Sequence, residues 1–145
     1  MRKVFLILVF VGLSYWGYSS YQKYQALPRV AINDRTYFVE VADTPESRMT
    51  GLMNRDNLGG ADGMLFIFDT LTPHSFWMKD VRFPLDIVWI NEDRVVYIVE
   101  SAEPSPAPPH KNYTPTESAN FVLELPSGTV LRDGIQIGAK VEIKI

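Results

Sequence analysis

The sequence predicts an α+β domain that is mostly β: an antiparallel sheet or partly closed barrel with one or two short helices, preceded by an N-terminal hydrophobic segment. Three observations carry this. Short strand-like runs recur from residue 30 to the end, separated by Pro, Gly, Asn and Asp. Helical spacing of apolar residues is confined to a brief stretch after Thr44. The chain opens with Arg2 and Lys3 and then runs apolar from Val4 to about Tyr18.

A charged start followed by an apolar run is the pattern of an export signal. The run is short for a full span, which needs about 20 residues, but Tyr15, Trp16 and Tyr18 are suited to a membrane interface. Residues 1–18 are therefore expected to be a signal peptide or a signal anchor. Residues 19–29 are read as a tether, and 30–145 as one soluble β-rich domain. Either reading exports the domain, membrane-anchored on the extracytoplasmic side or free in the periplasm or medium. The membrane is a partner through 1–18 if that segment is uncleaved.

Residues 1–29 hold Arg2, Lys3, Lys23 and Arg29 and no acids, which leaves 10 basic and 17 acidic residues beyond them, a net charge of −7. An acidic domain repels phosphate backbones, so nucleic acid is not an expected partner. There are no cysteines, which excludes both disulfides and a lipid-modified cysteine.

Within the domain, "VAINDRTYFVEVA" (30–42) reads as two strands joined at Asn33-Asp34, with Tyr37, Val39 and Val41 on one face of the second. Thr44 suits a helix N-cap, Pro45 the first helical position and Glu46 the first turn. Met49, Leu52 and Met53 then fall at helical spacing and are expected to form its buried stripe. Strand-like runs follow in "GMLFIFD", "SFWMK", "LDIVWIN", "RVVYIVESA", "ANFVLEL" and "KVEIKI", with a hairpin turn expected at Asn91-Glu92-Asp93. A second short helical turn is expected before Gly134. Residues 103–118 form a Pro-rich loop, long enough to be either a solvated connector or a lid or recognition segment.

The stretch "PHSFWMKDVRFPLDIVWI" (73–90) lacks the alternation of a half-buried strand. In its second half Leu85, Ile87 and Trp89 oppose Asp86, Val88 and Ile90, which predicts a central strand apolar on both faces. Phe76 and Met78 take one face of the first half and Trp77 the other.

In order, "GLM", "GMLFIF", "FWMKD", "PLDIVWI" and "FVLELPSG" resemble the exported bacterial and archaeal family catalogued as domain of unknown function 192. The resemblance covers roughly residues 30–145 and implies a compact β-rich fold, often behind a signal or anchor. It implies no activity. Two departures matter. The family more often has Asn where this chain has Asp80, and many relatives carry two cysteines at the positions of Ser105 and His110. The resemblance therefore implies a looser Pro-rich loop here.

Three chemistries are weighed for the site. His74 and Met78, with Met49, Met53 and Met64, are soft donors of the kind that hold Cu(I), yet Met is equally a filler of cores. Asp80, Asp86, Glu124 and Asp62 offer carboxylates for acid–base work. Asp86 and Glu124 each lie between two apolar neighbours, where burial raises a carboxyl pKa unless a partner is found, and Arg48, Arg55 and Lys79 are candidate partners. The opposing reading is structural salt bridges. Trp77, Trp89, Tyr97, Phe83 and Tyr113 offer aromatic platforms, with Trp89 and Tyr97 equally readable as core. No nucleophile motif, zinc spacing or phosphate-cradling glycine loop is present.

The leading expectation is a non-enzymatic extracytoplasmic binding module for a small molecule, glycan or envelope protein, with no cofactor. Its site is expected to join His74, Trp77, Lys79 and Asp80 to Arg55, Asp86, His110 and Tyr113. The alternative is an envelope-associated enzyme using Asp80 and Asp86. A soft-metal carrier using His74 and Met78 stands third.

Overall fold

The protein is described here by a computed structural model covering residues 27–145. The expected signal or anchor, and the tether up to residue 26, lie outside the described residues. In chain order the elements are β1 (Arg29–Ile32), β2 (Arg35–Ala42), α1 (Pro45–Thr50), β3 (Gly63–Thr72), β4 (Phe76–Trp77), β5 (Leu85–Asn91), β6 (Arg94–Ala102), β7 (Asn112–Tyr113), β8 (Ala119–Pro126), α2 (Thr129–Asp133) and β9 (Val141–Lys144).

Seven strands form one sheet in the order β6-β5-β8-β3-β2-β1-β9, and β4 pairs with β7 in a separate two-stranded ribbon. All the sheet pairings are antiparallel except β2–β3, which is parallel. That pair corrects the expected all-antiparallel sheet. The chain between β2 and β3 must cross over to restart in the same direction, and it does so through α1 and the loop to residue 62. The sheet curls until its two edges approach. Arg94, at the start of β6, bridges Lys140 just before β9, and Val95 and Ala139 are joined by an N–H···O bond of 3.0 Å. The result is a half-barrel, as expected from many short strands with little helix.

The turns form where the sequence places them. Asn33 has φ +54 in the two-residue turn between Ile32 and Arg35. Glu92 has φ +52 in the turn between Asn91 and Arg94.

Each face of the sheet carries a buried core. The inner core draws from all seven strands of the half-barrel and from α2, with Val39, Leu65, Val88, Ile90, Leu123 and Val141 among its members. The outer core lies on the other face and includes Met64, Phe66, Leu85, Ile87, Trp89 and Val122, with Leu52, Met78 and Tyr113 supplied by the covering segments. Leu85 through Ile90 are all buried, so β5 is the two-sided strand that the missing alternation predicts.

The covering elements are short. Helix α1 starts with a reciprocal cap: the Thr44 hydroxyl accepts from the Ser47 N–H at 3.1 Å, and the Ser47 hydroxyl accepts from the Thr44 N–H at 2.9 Å. It stops after one and a half turns, at Gly51, where φ is +46. The expected buried stripe is therefore corrected. Leu52 is buried, but Met49 is 64% exposed, because the helix ends before a second turn can press Met49 onto the sheet.

Gly63 marks the closest approach of β3 to β8. A Cβ there would collide with the Glu124 carbonyl oxygen and meet the Leu125 side chain at 2.9 Å. Gly63→Ala is expected to cost roughly 1–3 kcal/mol through overpacking, read as a lowered midpoint in chemical denaturation with an unchanged slope.

Candidate functional site

Strand β4 places Phe76 inward against the outer core, with its ring edge-on to Phe66 at 4.8 Å and to Trp89 at 5.8 Å. The next residue therefore points the other way, and Trp77 is 38% exposed. Strand β7, within the Pro-rich loop, pairs Asn112 with Trp77 and Tyr113 with Phe76. Across from them stands α1, where Arg48 ties the helix to β3. Its guanidinium donates to the carbonyls of Asp43 and Ile67 at 2.6 and 2.7 Å and sits 5.3 Å over the Phe68 ring. Between these walls runs a groove of about 340 Å³, lined by Pro45, Arg48, Met49, Phe68, Ser75, Phe76, Trp77 and Asn112.

The expected site residues divide into those around this groove and those elsewhere. Lys79 reaches over Trp77 at 5.4 Å, and the His110 ring meets Trp77 edge-on at 6.2 Å. Tyr113 is buried beside Phe76. His74 lies flat on Phe68 with ring centroids 3.6 Å apart, and its Nε2 is 3.0 Å from the Thr70 carbonyl. Met78 is fully buried in the outer core, and among the described residues no cluster of three His, Asp or Glu side chains has metal-ligand spacing.

Arg55 is drawn away to Glu40 on β2, at 2.8 Å. Asp80 has φ +56, a left-handed conformation that Asn and Asp adopt most readily among residues with a side chain. This accounts for either residue serving after "FWMK". Its carbonyl accepts from the Asn54 N–H at 2.8 Å.

Asp86 points to the inner face of β5, opposite the groove. One oxygen accepts from the Ser101 N–H at 2.9 Å and the other from the Val130 N–H at 2.8 Å. Ser101 has φ +50 at a register shift between β5 and β6, so Asp86 satisfies a donor that the bulge removes from the ladder. Val130 lies in the first turn of α2, whose N-cap Gly128 has no side chain to offer. Asp86 is thus a structural clasp. The structure does not bring Asp80 and Asp86 together.

The buried acid that faces the groove's side of the sheet is Glu124 on β8. It pairs with Met64 on β3 and Ile87 on β5 and is 4% exposed. Its Oε2 is buried without a hydrogen-bond partner, and burial pushes the carboxyl up to about 8. It lines a small chamber of about 30 Å³ that shares Arg48, Met49, Phe76 and Trp77 with the groove.

A larger open cleft of about 540 Å³ lies elsewhere, between β2 and α2. Its polar groups bind one another. Asp133 accepts from Arg132 at 2.9 and 2.7 Å and from the Tyr37 hydroxyl at 2.8 Å. The Arg132 hydrogen bonds hold the Asp133 carboxyl down at about 2. We place the candidate site at the smaller groove because it alone combines an exposed tryptophan with an unpartnered acid beneath it.

Phe68, Phe76, Ser75 and Asn112 were not among the expected site residues, and Met49 and Arg48 were weighed only as a soft metal donor and a carboxylate partner. Phe68 and Phe76 flank Pro73-His74 at a distance in sequence that hides their proximity. The aromatic signal of "SFW" was visible, but not what faced it.

These features define a small curled β-domain with an aromatic groove on the outer face of its sheet. The chain belongs to domain of unknown function 192, described as "Uncharacterized ACR", whose model matches residues 29–143. It is similar to the crystal structure of a protein of unknown function from Novosphingobium aromaticivorans DSM 12444, with 31% identity and a TM-score of 0.72 over 79% of this chain and 83% of that one. It is also similar to a protein of Sinorhizobium meliloti 1021 whose description proposes a transcription regulator, with 33% identity and a TM-score of 0.73 over 80% of this chain and 92% of that one. No curated protein matches.

The two acids respond oppositely to mutation. Asp86→Ala strands two backbone donors and is expected to cost roughly 2–5 kcal/mol in urea denaturation. Folding raises the Glu124 pKa from 4.5 to about 8, so the native state holds this proton more tightly than the unfolded chain. Stability is then lost as pH rises through that window. The unfolding free energy of Glu124→Gln is expected to gain on that of wild type by up to about 1.4 kcal/mol per pH unit there. Denaturation at the two ends of the window measures this; a constant difference would show that Glu124 ionises freely.

Proposed function

We propose that this chain is an extracytoplasmic, non-enzymatic binding module that takes a small amphipathic molecule with a planar apolar body. The observation that carries this reading is the groove itself. Trp77 stands exposed on one wall, Met49 on the other, and Phe68 and Phe76 lie between them. Its volume of about 340 Å³ falls at the lower end of the range for small-molecule sites, roughly 300–1,000 Å³. Arg48, Ser75 and Asn112 supply a polar rim that orients a ligand. Trp77 is flanked by Lys79 and His110, which favours an amphipathic ligand over a purely apolar one. The charged and apolar opening of the sequence supports the extracytoplasmic placement.

Ligand-observed NMR of the full chain against a library of small aromatic compounds tests this. Trp77→Ala and Phe68→Ala are each expected to weaken the hits by about tenfold or more. Because Trp77 is a surface wall, its variant should melt within a few degrees of wild type. Hits that bind both variants unchanged would place the site elsewhere.

A further inference from the structure

The chamber beneath the groove adds something the groove alone does not. Its volume of about 30 Å³ is that of a single water molecule in the liquid, or of one small functional group. It shares the side chains of Met49, Phe76 and Trp77 with the groove above, so it lies next to any molecule that fills the groove. Glu124 is the acidic side chain lining it, on β8 in the interior of the sheet, with Oε2 buried and unpartnered.

A buried polar atom left without a partner costs free energy, and the strands on either side of β8 bring only apolar side chains to this one. Met64 and Ile87 face it from the adjoining strands. An apolar side chain there would complete the outer core. An acid at this point is a stability cost with no return inside the described residues, which is the signature of a group kept for a ligand.

We propose that Glu124 is the recognition group of this chamber, donating its carboxyl proton to a neutral hydrogen-bond acceptor, such as a carbonyl oxygen, carried by the molecule whose body fills the groove. This rests on the groove reading above. The chemistry of the acceptor follows from the surroundings. Arg48 is the only other ionisable side chain lining the chamber. Its charge disfavours a second cation beside Glu124, and its Nη1 is already held by the carbonyls of Asp43 and Ile67. With no partner to stabilise a carboxylate, the acid remains protonated up to about pH 8, and a protonated carboxyl has a donor to offer.

Acetophenone and α-methylstyrene, which differ in an oxygen against a methylene, are the probes. Their binding to the full chain is measured by ligand-observed NMR, with the ¹³C carbonyl shift of acetophenone as a second readout. The wild type is expected to prefer acetophenone by about tenfold, the worth of one good hydrogen bond, with the carbonyl shift moving downfield. Glu124→Leu should abolish that preference while α-methylstyrene binding stays within about twofold. Glu124→Gln keeps an N–H donor and should retain the preference. Above about pH 8 the wild type loses its donor and its preference, whereas Glu124→Gln does not. Equal binding of the two probes to wild type, or a preference that survives Glu124→Leu, overturns the role of Glu124 and leaves the groove standing. Binding of neither probe overturns both. The glutamine variant and the pH series decide the matter if the leucine variant does not fold.

Discussion

The structure depends on three neighbouring strands, β5, β8 and the first half of β3, whose residues are buried on both faces over most of their shared length. Their side chains are apolar in both directions, so each side of the sheet must be covered. The inner side solves this by curling, so that every strand contributes to one core with α2 among them. The outer side has no such recourse, because it is convex and cannot close on itself. It is covered instead by pieces of chain: one and a half turns of α1, the loop after it, the ribbon of β4 and β7, and the Pro-rich segment. Short pieces do not tile a curved surface without gaps. The groove between α1 and the β4–β7 ribbon is such a gap, lined with aromatic and thioether groups because the cover there has to be apolar underneath.

The same two-sided burial explains why two acids on adjacent strands behave so differently. Asp86 and Glu124 are both removed from water. Asp86 points inward to a place where the fold has already broken its own hydrogen bonding, at the bulge of Ser101 and at the uncapped start of α2. Two donors in need of an acceptor meet an acceptor in need of donors. Glu124 points outward where β8 keeps an unbroken register with β3 and β5, and the side chains facing it there, Met64 and Ile87, offer no donor. The result is a neutral acid and a void. Burial alone does not decide whether a carboxyl is satisfied; the local supply of spare donors does.

Much of the architecture was legible in the residues. Asn33-Asp34 announces a turn because Asn accepts positive φ readily, Asn91-Glu92-Asp93 announces one as a polar break between two apolar runs, and the unbroken apolar run of β5 announces two cores. Thr44 and Pro45 announce the start of α1. Its length was not legible, since Met49 keeps the spacing of a buried stripe that only a longer helix would bury. The parallel β2–β3 pair was hidden as well, for strand runs do not declare their partners. At the site, Trp77 with Lys79 and His110 could be anticipated from polar groups crowding one aromatic. Arg55 and Asp86 could not be excluded, because Glu40, Ser101 and Val130, which claim them, lie 15 to 44 residues away. Asp86 and Glu124 read alike in sequence, each set between apolar neighbours. Only the topology separates them.

The family resemblance implied that this chain's Pro-rich loop, lacking cysteines, would be loose. Without cysteines, non-covalent contacts alone fasten it. His110 Nδ1 lies 2.9 Å from the Ser105 carbonyl, across the two positions where many relatives carry cysteines. Ser105 donates its N–H to the Met78 carbonyl at 3.0 Å, and β7 adds its pairing with β4. Each of these is worth about a kilocalorie per mole, and the contacts of Lys79 and His110 with Trp77 add about as much. The outer wall of the groove is therefore held by a few weak bonds, while its floor is held by the sheet. Local opening of such a wall costs only a fraction of what unfolding costs and leaves the strand that carries Glu124 in place. A disulfide at the same place would fix the wall and leave the chemistry of the floor unchanged.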